Sequence, residues 1–152
     1  MLTVDNTTNR WYFYIINTCS TKYCISNYLK MGGINMKKDV REMLNDFMNG
    51  LGTLGETNGD NVNAFMGLLG TTYAEGALDT KTKELISVGI AAYNRCEYCI
   101  VFHVYKALEA GATRAEIMEA AMVSVAFGGG PSMAYSVTLL KDAVDEFEKD
   151  FQ

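Results

Sequence analysis

Glu84, Cys96, Cys99 and His103 follow the pattern Glu-x11-Cys-x2-Cys-x3-His in a stretch free of proline. Two thiols, an imidazole and a carboxylate are the parts of a dithiol redox centre: a nucleophile, a resolving thiol, a base, and a group to hold the base. His103 is the only histidine of the chain, so any imidazole chemistry takes place beside these thiols. On a helix advancing about 100° per residue, positions 96, 99 and 103 lie within about 60° of one another and face the same neighbour. A free thiol has a pKa near ~8.5 and is mostly protonated at neutral pH; a helix N-terminus or a nearby imidazole favours the thiolate. Cys99, four residues before His103, is therefore the candidate nucleophile, and Cys96 the candidate resolving thiol. Their spacing suits a disulfide, whose Cα atoms usually lie ~4.4–6.8 Å apart. Glu84 falls on the preceding helix. Antiparallel packing across Asn94-Arg95 would bring its carboxylate to the dithiol, to orient His103 or to pass a proton through a water.

Other chemistries fit these residues less well. Zinc could take Cys96, Cys99, His103 and Glu84, but structural zinc sites draw on separated ligand pairs rather than one helix face. No metal is expected. Haem attachment needs a histidine directly after the second cysteine, where Ile100 stands. No βαβ pattern surrounds the pair, against a thioredoxin fold. Gly128-Gly129-Gly130 is not followed by the Lys-Ser/Thr of a phosphate loop and reads as a helix break. No cofactor is expected beyond a redox-active Cys96–Cys99 disulfide.

The 152 residues suit one domain able to bury about 70% of its unfolded surface. A single proline, Pro131, and frequent Ala, Leu, Met and Glu favour helices. The net charge of −5, with no basic block, leaves no track for phosphates, so nucleic acid is not an expected partner. No run approaches the ~18 apolar residues of a membrane span, and Trp11–Ile16 is too short for a secretory core, which makes the cytoplasm the expected compartment. Four cysteines in a chain with this much core point to thiol chemistry rather than to disulfide staples; Cys19 and Cys24 carry no assigned role.

The elements that must position the site are helices. Residues 1–35 are rich in Asn, Thr, Tyr and Ile, have little helical periodicity, and read as an N-terminal extension or an over-called start, the alternative being a β-prone arm that packs on a partner. The helical domain is expected over 36–152. Asp39 caps a helix bearing Val40, Met43, Leu44, Phe47 and Met48, ended by Gly50. Residues 52–63 read as a loop, followed by a helix over about 63–75 with Phe65, Leu68, Leu69 and Tyr73 on its apolar side. Asp79 caps a helix over 80–93 with Leu85, Val88 and Ala92 buried. After a break at Asn94-Arg95 comes the helix of the dithiol, ended by Gly111. Thr113-Arg114-Ala115-Glu116 is a capping box for a helix to about Phe127. Pro131 then opens a last helix with Val137, Leu140, Val144 and Phe147 on one face. The expected fold is all-α, a single-domain bundle of five or six helices.

The residues Leu78-Asp79-Thr80-Lys81-Thr82-Lys83-Glu84-Leu85-Ile86, Cys96-Glu97-Tyr98-Cys99, His103, Gly111-Ala112-Thr113 and Glu116-Ile117-Met118-Glu119-Ala120 resemble the carboxymuconolactone decarboxylase superfamily, in its alkylhydroperoxidase AhpD-like branch. The resemblance covers about residues 40–147. It implies an all-helical subunit assembled as a homo-trimer or homo-hexamer, and reduction of a hydroperoxide substrate by a cysteine pair. Carried over, Cys99 is the peroxidatic thiol, Cys96 the resolving one, and Glu84 and His103 the proton relay. A thiol or lipoyl-type reductant, or an adaptor protein, would then recycle the disulfide. The best-known members have a histidine directly before the second cysteine; here Tyr98 stands there. The alternatives are a helical oligomer whose thiols sense redox state without turnover, and the lactone decarboxylation that names the superfamily. Those lactone enzymes lack the cysteine pair.

Overall fold

A computed structural model describes residues 38–152, and among them every regular element is helical. The proposed extension over 1–35, the Trp11–Ile16 run, Cys19 and Cys24 lie outside the described residues. Helix α1 spans Val40–Tyr73, α2 Thr80–Asn94, α3 Glu97–Glu109 and α4 Arg114–Tyr135; a π-helical stretch, Ser136–Leu140, leads into α5, Lys141–Phe147, and a 3₁₀ turn, Glu148–Asp150. Caps read from the sequence are in place. The Asp39 carboxylate accepts from the backbone N–H groups of Arg41 and Glu42 at 2.9 and 3.1 Å, and that of Asp79 accepts from Thr82 at 2.7 Å. Thr113 and Glu116 form the reciprocal capping box.

The first half departs from expectation. Residues 52–63 are helical instead of a loop, and the helix carrying Val40 does not stop at Gly50. Glycine weakens a helix by about 1 kcal/mol relative to alanine but, unlike proline, keeps its N–H, so these glycines do not end it. The interruption falls at Asn58, whose φ of −128° and ψ of 42° are not helical. A straight helix would separate Phe47 from Tyr73 by about 39 Å. Yet Phe47 packs on the Phe102 ring at 5.5 Å and Tyr73 on the neighbouring His103 ring at 5.8 Å, so α1 must bend between them. Its middle lies off the body of the fold: Phe65 and Leu68, expected to be buried, are exposed.

Helix α3 is the centre of the core. Ile100, Val101, Val104 and Ala107 are fully buried, against Val88 and Ala92 of α2, Ile117 and Ala121 of α4, and Leu140, Val144 and Phe147 at the C-terminal end. Fully burying one such aliphatic side chain contributes roughly 1.5–3 kcal/mol. The chain thus covers the many-sided apolar surface of α3 by itself. Gly89 lets α2 and α4 come together, since a Cβ there would sit 3.2 Å from the Ala120 carbonyl oxygen. Non-helical backbone at Gly129 (φ 61°, ψ −144°) supplies the break expected before Pro131. Val137 is exposed rather than buried with Leu140, Val144 and Phe147. The π-helical stretch places more residues in a turn than the 3.6 assumed, so the apolar stripe is rephased between 137 and 140.

Candidate active site

The site is built on the α2–α3 corner. Helix α2 ends in a Schellman turn: the N–H of Cys96 bonds the Ala91 carbonyl at 3.1 Å and that of Arg95 the Ala92 carbonyl at 3.3 Å. Arg95 takes the left-handed conformation, φ 56°, where glycine is usual. Arg95 and Cys96 alone therefore join the two helices, which sharpens the break read at Asn94-Arg95. Cys96 is not inside the helix, as its periodicity suggested, but is the N-cap of α3, with its carbonyl accepting from the Ile100 N–H at 2.8 Å. Cys99 follows in the first turn. Both sulfurs thus sit where the uncompensated N–H groups of a helix favour negative charge. The two cysteines are joined as a disulfide, their Cα atoms 5.2 Å apart.

Glu84 is buried on α2, only 3% exposed, and its Oε2 lies 2.8 Å from Nδ1 of His103. A carboxylate so enclosed needs a partner, and His103 supplies it. An ionised carboxylate accepts only, so the proton belongs on Nδ1, leaving Nε2 able to accept another. The structure therefore brings Glu84 to His103 by one direct bond. It places His103 one helical turn beyond Cys99 on α3, at a spacing where Cβ atoms lie about 5–6 Å apart. Glu97, in the first turn of α3, pairs with Lys38. Among the described residues no group of three or more His, Cys, Asp or Glu is arranged to hold a metal ion, and no described helix is long and apolar enough to cross a membrane.

Neighbours of His103 were not singled out in the sequence. Tyr73 stacks on its imidazole with an interplanar angle of 25°, and Phe102 meets it edge-on at 5.2 Å. The Tyr73 hydroxyl is 2.5 Å from Ser87 Oγ. A signal was present on α2, where Thr80, Lys83, Glu84 and Ser87 recur at helical spacing as a polar stripe. On the other side of α2, an open apolar groove of about 620 Å³ runs between α2 and α4, lined by Leu85, Ile86, Ile90, Tyr93, Val123 and Phe127 among others. Phe127 is 82% exposed there.

The sequence profile of the carboxymuconolactone decarboxylase family matches residues 59–142, starting just past the bend of α1 and enclosing Glu84, Cys96, Cys99 and His103. A protein of Cupriavidus necator is 32% identical over 101 residues, covering 66% of this chain and 89% of the relative. The apo structure of a carboxymuconolactone decarboxylase family protein from Legionella pneumophila is similar at a TM-score of 0.68 and 33% identity, over 72% of this chain and 96% of that one. A family member from Thermotoga maritima, for which a part in the antioxidative response has been suggested, is similar at a TM-score of 0.59 and 29% identity, over 70% and 93% of the two chains.

Proposed function

Since this chain belongs to the carboxymuconolactone decarboxylase family, we propose that it acts as a dithiol peroxidase of the alkylhydroperoxidase AhpD-like kind. The observation that carries this reading is the 2.8 Å bond from the buried Glu84 to a half-buried His103, beside a cysteine pair at the N-terminus of α3. Lactone decarboxylation calls for no thiol pair. The Cys99 thiolate attacks the outer oxygen of a hydroperoxide, the O–O bond breaks, and the departing alkoxide takes a proton from the His103 imidazolium, giving an alcohol and a Cys99 sulfenic acid. The Cys96 thiol then attacks that sulfur, loses its proton, and expels water to form the disulfide. A dithiol reductant, of lipoyl type or on an adaptor protein, returns both cysteines to thiols by exchange. Glu84 steadies the imidazolium while it holds the proton, as carboxylates do for catalytic histidines.

The test is steady-state consumption of an alkyl hydroperoxide with dihydrolipoamide as reductant, each compared with glutathione. Repeated turnover is the expected result. One oxidation per subunit, and no more with any dithiol, would leave a redox-sensing protein instead. Assembly as a trimer or hexamer is part of the same reading, supported by the exposed apolar residues of α2 and α4 rather than by α3. Light scattering at micromolar concentration should return three or six subunit masses; a monomer would remove it.

A further inference from the structure

We propose that Tyr73, tethered through Ser87, is a positioning residue that fixes the plane of the His103 imidazole. The hydrogen bonds themselves assign the donors. Ser87 Oγ lies 2.9 Å from the Lys83 carbonyl, which can only accept, so the single hydroxyl hydrogen of Ser87 is committed there. Tyr73 must then donate to Ser87 across the 2.5 Å contact. Two further bonds hold the same end of α1 to α2: Thr80 Oγ1 donates to the Tyr73 carbonyl at 2.9 Å, and Lys83 Nζ donates to the Ala74 carbonyl at 2.6 Å.

Helix α2 thereby grips His103 in two ways. Glu84 takes the edge of the ring directly, at Nδ1. Thr80, Lys83 and Ser87 take its face indirectly, by pinning Tyr73 against it at 5.8 Å between ring centroids. An edge bond alone fixes one nitrogen but lets the ring swing about that bond. A second ring against the face removes the swing, and Nε2 then points in one direction. Proton transfer is sensitive to such placement, and small displacements of a catalytic group cost large factors in rate.

The kinetic consequence rests on the dithiol reading, in which His103 serves Cys99; the structural consequence does not. Both are measured in full-length protein with Tyr73→Phe, Tyr73→Leu, Ser87→Ala and the Tyr73→Phe/Ser87→Ala double variant. Because His103 is the only histidine, its ring nitrogens give unambiguous ¹⁵N signals. Wild type should show one protonated and one bare nitrogen, and Tyr73→Leu should draw the two shifts together while Tyr73→Phe, which keeps the ring, should not. Alkylation of Cys99 by iodoacetamide in the reduced protein, followed on its own peptide, should slow about 10-fold in Tyr73→Leu and about 3-fold or less in Tyr73→Phe. Ser87→Ala should match Tyr73→Phe, and the double variant should be no slower than either, because both remove the Tyr73–Ser87 bond and the Lys83 carbonyl, which also loses its Ser87 donor in Ser87→Ala, does not touch His103. A Tyr73→Leu protein that melts cooperatively, yet keeps the wild-type ring signals or alkylates within 2-fold of wild type, overturns the inference. So does a Tyr73→Phe defect as large as that of Tyr73→Leu. A wild-type protein that consumes no peroxide would remove the proposed function only, since the ring spectra and the alkylation rates still decide the role of Tyr73.

Discussion

Cys99→Ser is expected to abolish oxidation by hydroperoxide altogether, because the remaining thiol at the site, Cys96, has no histidine one turn beyond it. Cys96→Ser should still react once and stop, leaving Cys99 as a sulfenic acid or as a mixed disulfide that cannot close internally. Mass spectrometry of the peptide spanning both positions reads the difference. Wild type should lose two hydrogens, Cys96→Ser should gain one oxygen, and Cys99→Ser should be unchanged. The structure makes this a sharper contest than the sequence did. Cys96 is the N-cap of α3 and Cys99 lies in its first turn, so both feel the helix terminus and only their relation to His103 separates them. Oxidation that survives in Cys99→Ser and vanishes in Cys96→Ser would make the helix terminus the activating group and exchange the two roles.

The second large effect concerns the base. His103→Gln and Glu84→Gln should each lower the peroxide rate about 100-fold, or about 2.7 kcal/mol of transition-state stabilisation. Both should keep the fold. A glutamine at 84 can still accept from Nδ1 of His103, and one at 103 can still donate to the buried Glu84 carboxylate, so each substitution keeps the bond between the two positions. What each removes is the charge or the proton acceptor. The double variant should fall to about 10²–10³ below wild type rather than 10⁴, since the two residues act on one proton path. Strictly multiplicative losses in stopped-flow measurements would show that Glu84 and His103 act separately, and the 2.8 Å bond between them would then be structural alone.

These residues were legible because they lie within one short stretch. Helical spacing puts Cys99 and His103 on a common side, the N-cap position keeps Cys96 within disulfide reach of Cys99, and a break at Asn94-Arg95 suffices to return Glu84 to His103. The caps at Asp39, Asp79 and Thr113 were legible for a similar reason, each being a side chain bonded to backbone two or three residues away. What could not be read depended on distance or on backbone detail. Tyr73 looks like any apolar-face residue until α1 bends at Asn58 and brings it against His103, thirty positions further on. Residues 52–63 carry loop-forming glycines, and local preference misplaces the break that the backbone confines to Asn58. A constant helical period puts Val137 on the buried face, and the π-helical stretch does not keep that period. The long-range ties are of the same kind. Arg41 meets Glu146 at 2.9 Å and Asp150 at 3.0 Å across more than a hundred residues, and nothing local announces it.

The three-residue separation of Cys96 and Cys99 bears on what opening and closing this bond would do to the fold. A cross-link restrains an unfolded chain in proportion to the logarithm of the loop it closes, and this loop is close to the shortest possible. By the chain-entropy account it holds back only about 2 kcal/mol of disorder, against nearly 5 for a bridge across a hundred residues. Breaking and remaking the bond therefore changes the balance between folded and unfolded chain far less than a staple between distant segments would. The backbone bonds of the Schellman turn and the Arg41 ion pairs use no sulfur atom. A dithiol cycle of the kind proposed would therefore cost the scaffold that aims the thiols little of its stability.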